Sequence, residues 1–70
     1  MDTFKWHVIK QRREHLKLTQ LDLSFLMHQL GQKVTPSSIH QWEHGLTSPD
    51  ANKVPTLAKA LQLPTEDLYG

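Results

Sequence analysis

His40 and His44 stand four residues apart in the run His40-Gln41-Trp42-Glu43-His44, a spacing that puts two imidazoles on one face of a helix. Two such rings can share a metal ion. In the zinc-protease motif, however, the glutamate directly follows the first histidine and acts as general base, whereas here Gln41 holds that position. With no third convergent ligand and no cysteine in the chain, a catalytic zinc site would be incomplete. The expectation is therefore no catalytic residue, no metal site and no cofactor. The same segment suits another chemistry better, because Ser37, Ser38, His40, Gln41 and His44 are short or hydrogen-bonding side chains. Gln41 can donate and accept together, as adenine requires in the major groove, and His40 or His44 can donate to guanine acceptors. Serine hydroxyls do both.

Side chains that read base edges must be held on a rigid element, and the flanking residues describe one. Thr35 can cap a helix with its hydroxyl, Pro36 suits the first helical position, and Gly45 supplies the left-handed residue that commonly ends one. Ile39 and Trp42, three apart, form the anchoring face. A helix this short cannot stand alone in water, so the rest of the chain must hold it. A first helix is expected from Thr3 or Phe4 to Leu16, with Trp6, Ile9, Arg13 and Leu16 at helical spacing. Thr19 caps a second helix, on which Leu23, Leu26, Met27 and Leu30 form a core stripe before Gly31 ends it.

Leu21 and Phe25 lie on another side of that second helix. Their expected cover is the N-terminal aromatics Phe4 and Trp6, with a partner chain as the alternative. After the loop Thr47-Ser48-Pro49-Asp50, a fourth helix starts either near Asp50 or, because of Pro55, only at that proline, with residues 51–54 as an irregular first turn. Val54, Leu57, Ala58 and Leu61 give its buried stripe. Leu63-Pro64 breaks the direction, and a last short turn brings Leu68 and Tyr69 back to the core. The fold class is all-α, a compact bundle of about five short helices in one domain over residues 3–70.

Seventy residues leave no room for a separate catalytic domain, and a core of this size gives modest stability. Zero cysteines fit a reducing cytosol, and the expected localisation is cytoplasmic. No apolar run approaches a membrane span, and the N-terminus lacks signal-peptide organisation. The net charge is only +1, so charge alone does not declare a nucleic-acid binder, although Lys5, Lys10, Arg12, Arg13 and Lys17 crowd the first quarter. Five histidines can add partial positive charge, and protonation of His40 and His44 is expected to tighten binding to a phosphate-lined partner.

Taken in order, Leu18-Thr19-Gln20, Leu23, Val34-Thr35 through Ile39, Trp42-Glu43, Gly45, Ser48-Pro49 and Leu57-Ala58-Lys59-Ala60-Leu61 resemble the Cro/C1-type (XRE-like) helix-turn-helix family of phage and bacterial repressors. The resemblance covers nearly the whole chain. It implies a lambda repressor-like DNA-binding domain whose third helix enters the major groove while the second crosses the backbone. Its base-reading positions fall on Pro36, Ser37, Ser38, His40, Gln41 and His44, and its phosphate contact falls on Gln20. Lys33, just before the third helix, adds a point charge. Arg13 and Glu43 stand where the family often forms a partly buried ion pair, which would keep the acid away from phosphate.

Three departures from the family stand out. His28 holds the place of the usual turn glycine and Gln29 to Lys33 intervene, so the second helix is expected to be longer by a turn. Arg12 replaces a more often apolar residue and shifts packing onto Ile9 and Leu16. The loop Leu46 to Asp50 has no basic residue. With so few cations, one domain neutralises few phosphates, so a homodimer reading a palindromic or pseudo-palindromic operator is the expected partner arrangement. The function expected is sequence-specific double-stranded DNA binding in transcription regulation, as a repressor. The alternative is a protein-protein interaction module of the same fold, antitoxin-like or accessory, with weak or lost DNA binding and Leu21 and Phe25 in its interface.

Overall fold

A computed structural model describes residues 4–69. Thr3, one of the two expected helix starts, and both ends of the expected 3–70 domain lie outside the described residues. Four α-helices follow one another: α1 (Trp6–His15), α2 (Gln20–Gln29), α3 (Pro36–Glu43) and α4 (Val54–Ala60), closed by a 3-10 turn at Thr65–Leu68. The all-α bundle is thus four α-helices with one 3-10 turn in fifth place. Helix α3 packs against both α1 and α2, and α4 packs against α2 and the closing turn.

The helix starts are written in short polar residues. Thr19 Oγ1 accepts the Asp22 N–H at 3.0 Å while Asp22 Oδ2 accepts the Thr19 N–H at 2.9 Å, a reciprocal capping box. Thr35 Oγ1 accepts the Ser38 N–H at 3.1 Å, with Pro36 in the first position of α3. Helix α1 starts later than Phe4, because Lys5 N–H donates to the Leu68 carbonyl at 2.7 Å and Phe4 pairs with Tyr69 in an isolated bridge. That segment is tied to the end of the chain. Helix α4 begins at Val54 with Pro55 second, and residues 51–53 make a turn closed by Lys53 N–H on the Asp50 carbonyl at 2.8 Å. A start at Asp50 is therefore excluded.

All four helices stop in the same way, with two crossed hydrogen bonds around a residue of positive φ. At the ends of α2 and α3 that residue is glycine, Gly31 at φ 96° and Gly45 at φ 70°. Gly45 is doubly constrained, since a Cβ there would lie 3.2 Å from the Trp6 ring. At the ends of α1 and α4 the position falls to Lys17 and Gln62, both at φ 58°. A side chain in this region costs about 1–2 kcal/mol, of which the entropy of an added glycine takes back about half. Gln62→Gly is thus expected to raise the melting temperature by a few degrees, whereas Gln62→Ala should not, a difference that parallel thermal melts would resolve.

The core gathers Ile9, Leu23, Met27, Val34, Ile39, Trp42, Val54, Leu57, Ala58, Ala60, Leu61 and Leu68. The stripe on α4 is buried throughout, but that on α2 is narrower than its spacing suggested. Leu26 is half-buried and Leu30, at the C-cap, is exposed, while Ser24 is buried in their place. The Ser24 hydroxyl donates to the Val34 carbonyl and so fixes the connection into α3. Arg12 has a polar task, not a packing one: its Nε donates to the Leu61 carbonyl at 2.9 Å, satisfying a terminal acceptor of α4.

Leu21 and Phe25 are not covered by the N-terminal aromatics. They remain 51% and 57% exposed, because Phe4 stacks edge-on with Tyr69 at 5.7 Å and Trp6 lies over Gly45. Helix α2 itself runs only one residue beyond His28, to Gln29, before Gly31 turns the chain, so the extension falls short of the full turn expected.

Candidate nucleic-acid interface

Helix α3 divides by face. Ile39 and Trp42 point into the core at 0% and 5% exposure, while Ser37, His40, Gln41 and His44 are exposed. Pro36 and Ser38 are half-buried at the start of the helix, and the Thr35 hydroxyl donates to Ser38 Oγ at 3.1 Å, which draws Ser38 into the cap. The Thr47 hydroxyl reaches toward Gln41 Oε1 at 3.5 Å, leaving the Gln41 amide N–H groups free to donate. The imidazoles of His40 and His44 lie one turn apart with ring centres 4.3 Å from each other.

Glu43, the acid of α3, is turned inward. Its side chain is 1% exposed and meets Arg13 in a two-point contact, Nε to Oε2 at 2.7 Å and Nη2 to Oε1 at 3.1 Å. Gln20 Nε2 adds a third donor to Oε1 at 3.1 Å, and Arg13 Nη1 reaches the Leu18 carbonyl at 2.8 Å. The hydrogen bond to Glu43 holds the Arg13 guanidinium above its usual range despite the opposing effect of burial. A cation raised in this way contributes its stability in full below its unfolded value and loses it only in strong alkali. The cluster joins α1, the start of α2 and the end of α3, so it sets how α3 sits on its scaffold.

The residues expected near phosphate are placed apart. Gln20 is half-buried in the first turn of α2, with one amide N–H given to Glu43 and the other still available. Lys33 is exposed on the connection into α3. The unpaired N–H groups at the starts of α2 and α3 are suited to anions. Among the chain's eight Lys and Arg residues, Arg12 and Arg13 are engaged internally and Lys53 pairs with Asp50 at 3.5 Å. That leaves five lysines, Lys5, Lys10, Lys17, Lys33 and Lys59, without a salt bridge among the described residues.

A family model described as helix-turn-helix matches residues 9–68. The chain belongs to that family. This helix-turn-helix domain, of the Cro/C1 type, is also similar to a solved structure, that of the P22 c2 repressor protein in complex with synthetic operator 9T in the presence of Tl+. The two are 30% identical, the match covers 94% of this chain and 92% of that one, and the TM-score is 0.80. No curated protein matches the chain. The family binds DNA in transcription regulation and is not enzymatic, and no helix among the described residues is long and apolar enough to cross a membrane.

Within the helix-turn-helix frame, three further contributors differ in how much sequence signal they carried. Asp22 completes the Thr19 box and was legible as Thr-x-x-Asp before an apolar run. Ser24 was not, because a serine on the core side of a helix has no pattern of its own. Nor was the engagement of Gln20 with Glu43, which depends on where α3 ends relative to α2.

Proposed function

We propose that this chain is a transcriptional repressor that binds a palindromic or pseudo-palindromic operator as a homodimer, in the cytoplasm of a bacterial or phage-infected cell. One observation carries the reading: α3 presents Ser37, His40, Gln41 and His44 outward while its acid, Glu43, is buried against Arg13 and Gln20. A helix prepared in this way offers donors and acceptors to base edges without opposing phosphate. The likeness to a repressor in complex with an operator supports it. In this reading Pro36, Ser37, Ser38, His40, Gln41 and His44 face the bases, and Gln20 and Lys33 face phosphates at either side. The domain itself spans residues 3–70.

The net charge of only +1 favours a dimer, because a single copy neutralises few phosphates and two copies double that number. Two copies place their reading helices about 34 Å apart, one turn of the duplex. Selection from random duplex DNA at low salt is expected to enrich a site with two half-sites at that spacing. Enrichment of no sequence, even with the protein joined into a dimer, would sink the reading. It would favour instead an interaction module of the same fold, to which the exposed Leu21 and Phe25 lend support.

Gln41→Ala gives a sharper test. Because Gln41 is exposed and outside the core, the variant is expected to melt within about 0.5 kcal/mol of the parent. Preference at one base position of each half-site should fall by about 1–3 kcal/mol. Binding curves on matched and mismatched duplexes, run beside melts, measure both; an unfolded Gln41→Ala would refute the division of faces.

A further inference from the structure

We propose that His40 and His44 form a two-imidazole chelate for a borderline divalent metal ion of the zinc, nickel and copper class. Both residues are exposed on α3, and their ring centres lie 4.3 Å apart with the planes tilted by 48°. Zinc–imidazole bonds are about 2.0–2.1 Å, so two nitrogens on one ion lie within roughly 4 Å of each other. Rings already this close reach that separation by small side-chain rotations. Neutral imidazole is a preferred ligand for these metals. The described residues hold no group of three or more histidines, cysteines or acids that would close the coordination sphere. The ion therefore keeps open positions for water.

The other histidines supply an internal contrast. His7 and His15 stand about two turns apart on α1, and His28 rests alone against the Val34 carbonyl at 3.2 Å. A second ring on the same helix face makes the second bond intramolecular, which tightens binding by roughly tenfold or more over a single imidazole. A further consequence rests on the DNA-reading proposal. A chelated ion removes two ring nitrogens from base contacts while adding positive charge that any phosphate attracts, so discrimination falls and nonspecific affinity does not.

Zinc chloride titrated into the free protein, followed by histidine NMR shifts and calorimetry, tests the chelate. The expected result is one ion per chain with His40 and His44 shifting together. His40→Ala and His44→Ala should each weaken binding about tenfold or more, whereas His7→Ala binds like the parent. Equal responses from all histidines, or parental affinity in His40→Ala with circular dichroism unchanged, would overturn it. In the second arm, saturating zinc is expected to lower the ratio of affinities for selected and scrambled duplexes about tenfold, with restoration by chelator. An unchanged ratio overturns the competition. If no DNA sequence is selected at all, the DNA reading fails while the metal titration, which contains no DNA, still decides the chelate.

Discussion

Arg13→Met is expected to lower the stability of the domain by about 3–5 kcal/mol, the usual loss when one member of a buried ion pair is removed. The large value comes from what remains. Glu43 would keep a carboxylate that is 1% exposed with Gln20 as its single remaining side-chain donor, and the Leu18 carbonyl would lose the guanidinium at 2.8 Å. A chain of this length holds roughly 4–10 kcal/mol in all, so the variant should melt at least 12 °C or so below the parent. Urea unfolding at neutral pH measures the loss directly. A deficit under about 1 kcal/mol at neutral pH would mean that the pair behaves as a surface contact.

The pair is not thereby a source of net stability. Replacing both partners, as in Arg13→Met with Glu43→Leu, is expected to recover much of the loss, since an apolar pair avoids the cost of taking two charges out of water. Recovery should stay incomplete, because the Gln20 amide and the Leu18 carbonyl lose partners in the double variant. The cluster has a different use at the interface. It turns the acid of α3 inward, which in the proposed reading keeps it from phosphate, and links three helix segments to one another through charge-assisted bonds.

That cluster also marks how far the sequence was legible. Helix α3 was readable because its cap, proline, anchors and terminal glycine are local signals, each within a turn of the next. The α4 stripe was readable for the same reason, as a 3.6-residue period with every position buried. The start of α1 was not, since it depends on the Lys5 N–H finding the Leu68 carbonyl from the far end of the chain. The exposure of Leu21 and Phe25 was equally nonlocal, because their expected covers were drawn off, Phe4 to Tyr69 and Trp6 to Gly45. Periodicity also misled on α2, where the small Ser24 is buried and the larger Leu30, at the helix end, is not. At the site, the family resemblance pointed to Arg13 and Glu43, but only coordinates place Gln20 on the same carboxylate.

Trp42→Ala should produce the contrasting large effect, a loss of about 3–5 kcal/mol from deleting a large core side chain. Trp42 is 5% exposed and sits in the same cluster as Ile39, Val34 and Leu23, where α3 meets the rest of the bundle. Truncation there leaves a cavity that close-packed neighbours fill only in part. Because the damage is to the fold, binding to matched and mismatched duplexes should decline together, and should recover together on cooling or with added DNA. Its neighbour Gln41 predicts the opposite signature, a change in preference at constant melting temperature. Melts and binding curves at two temperatures separate the cases, and Trp42→Phe, which keeps an aromatic ring in the core, supplies a folded variant if the alanine form does not fold. A Trp42→Ala protein that melts like the parent yet loses sequence preference would place Trp42 on the reading face and reverse the assignment of both residues.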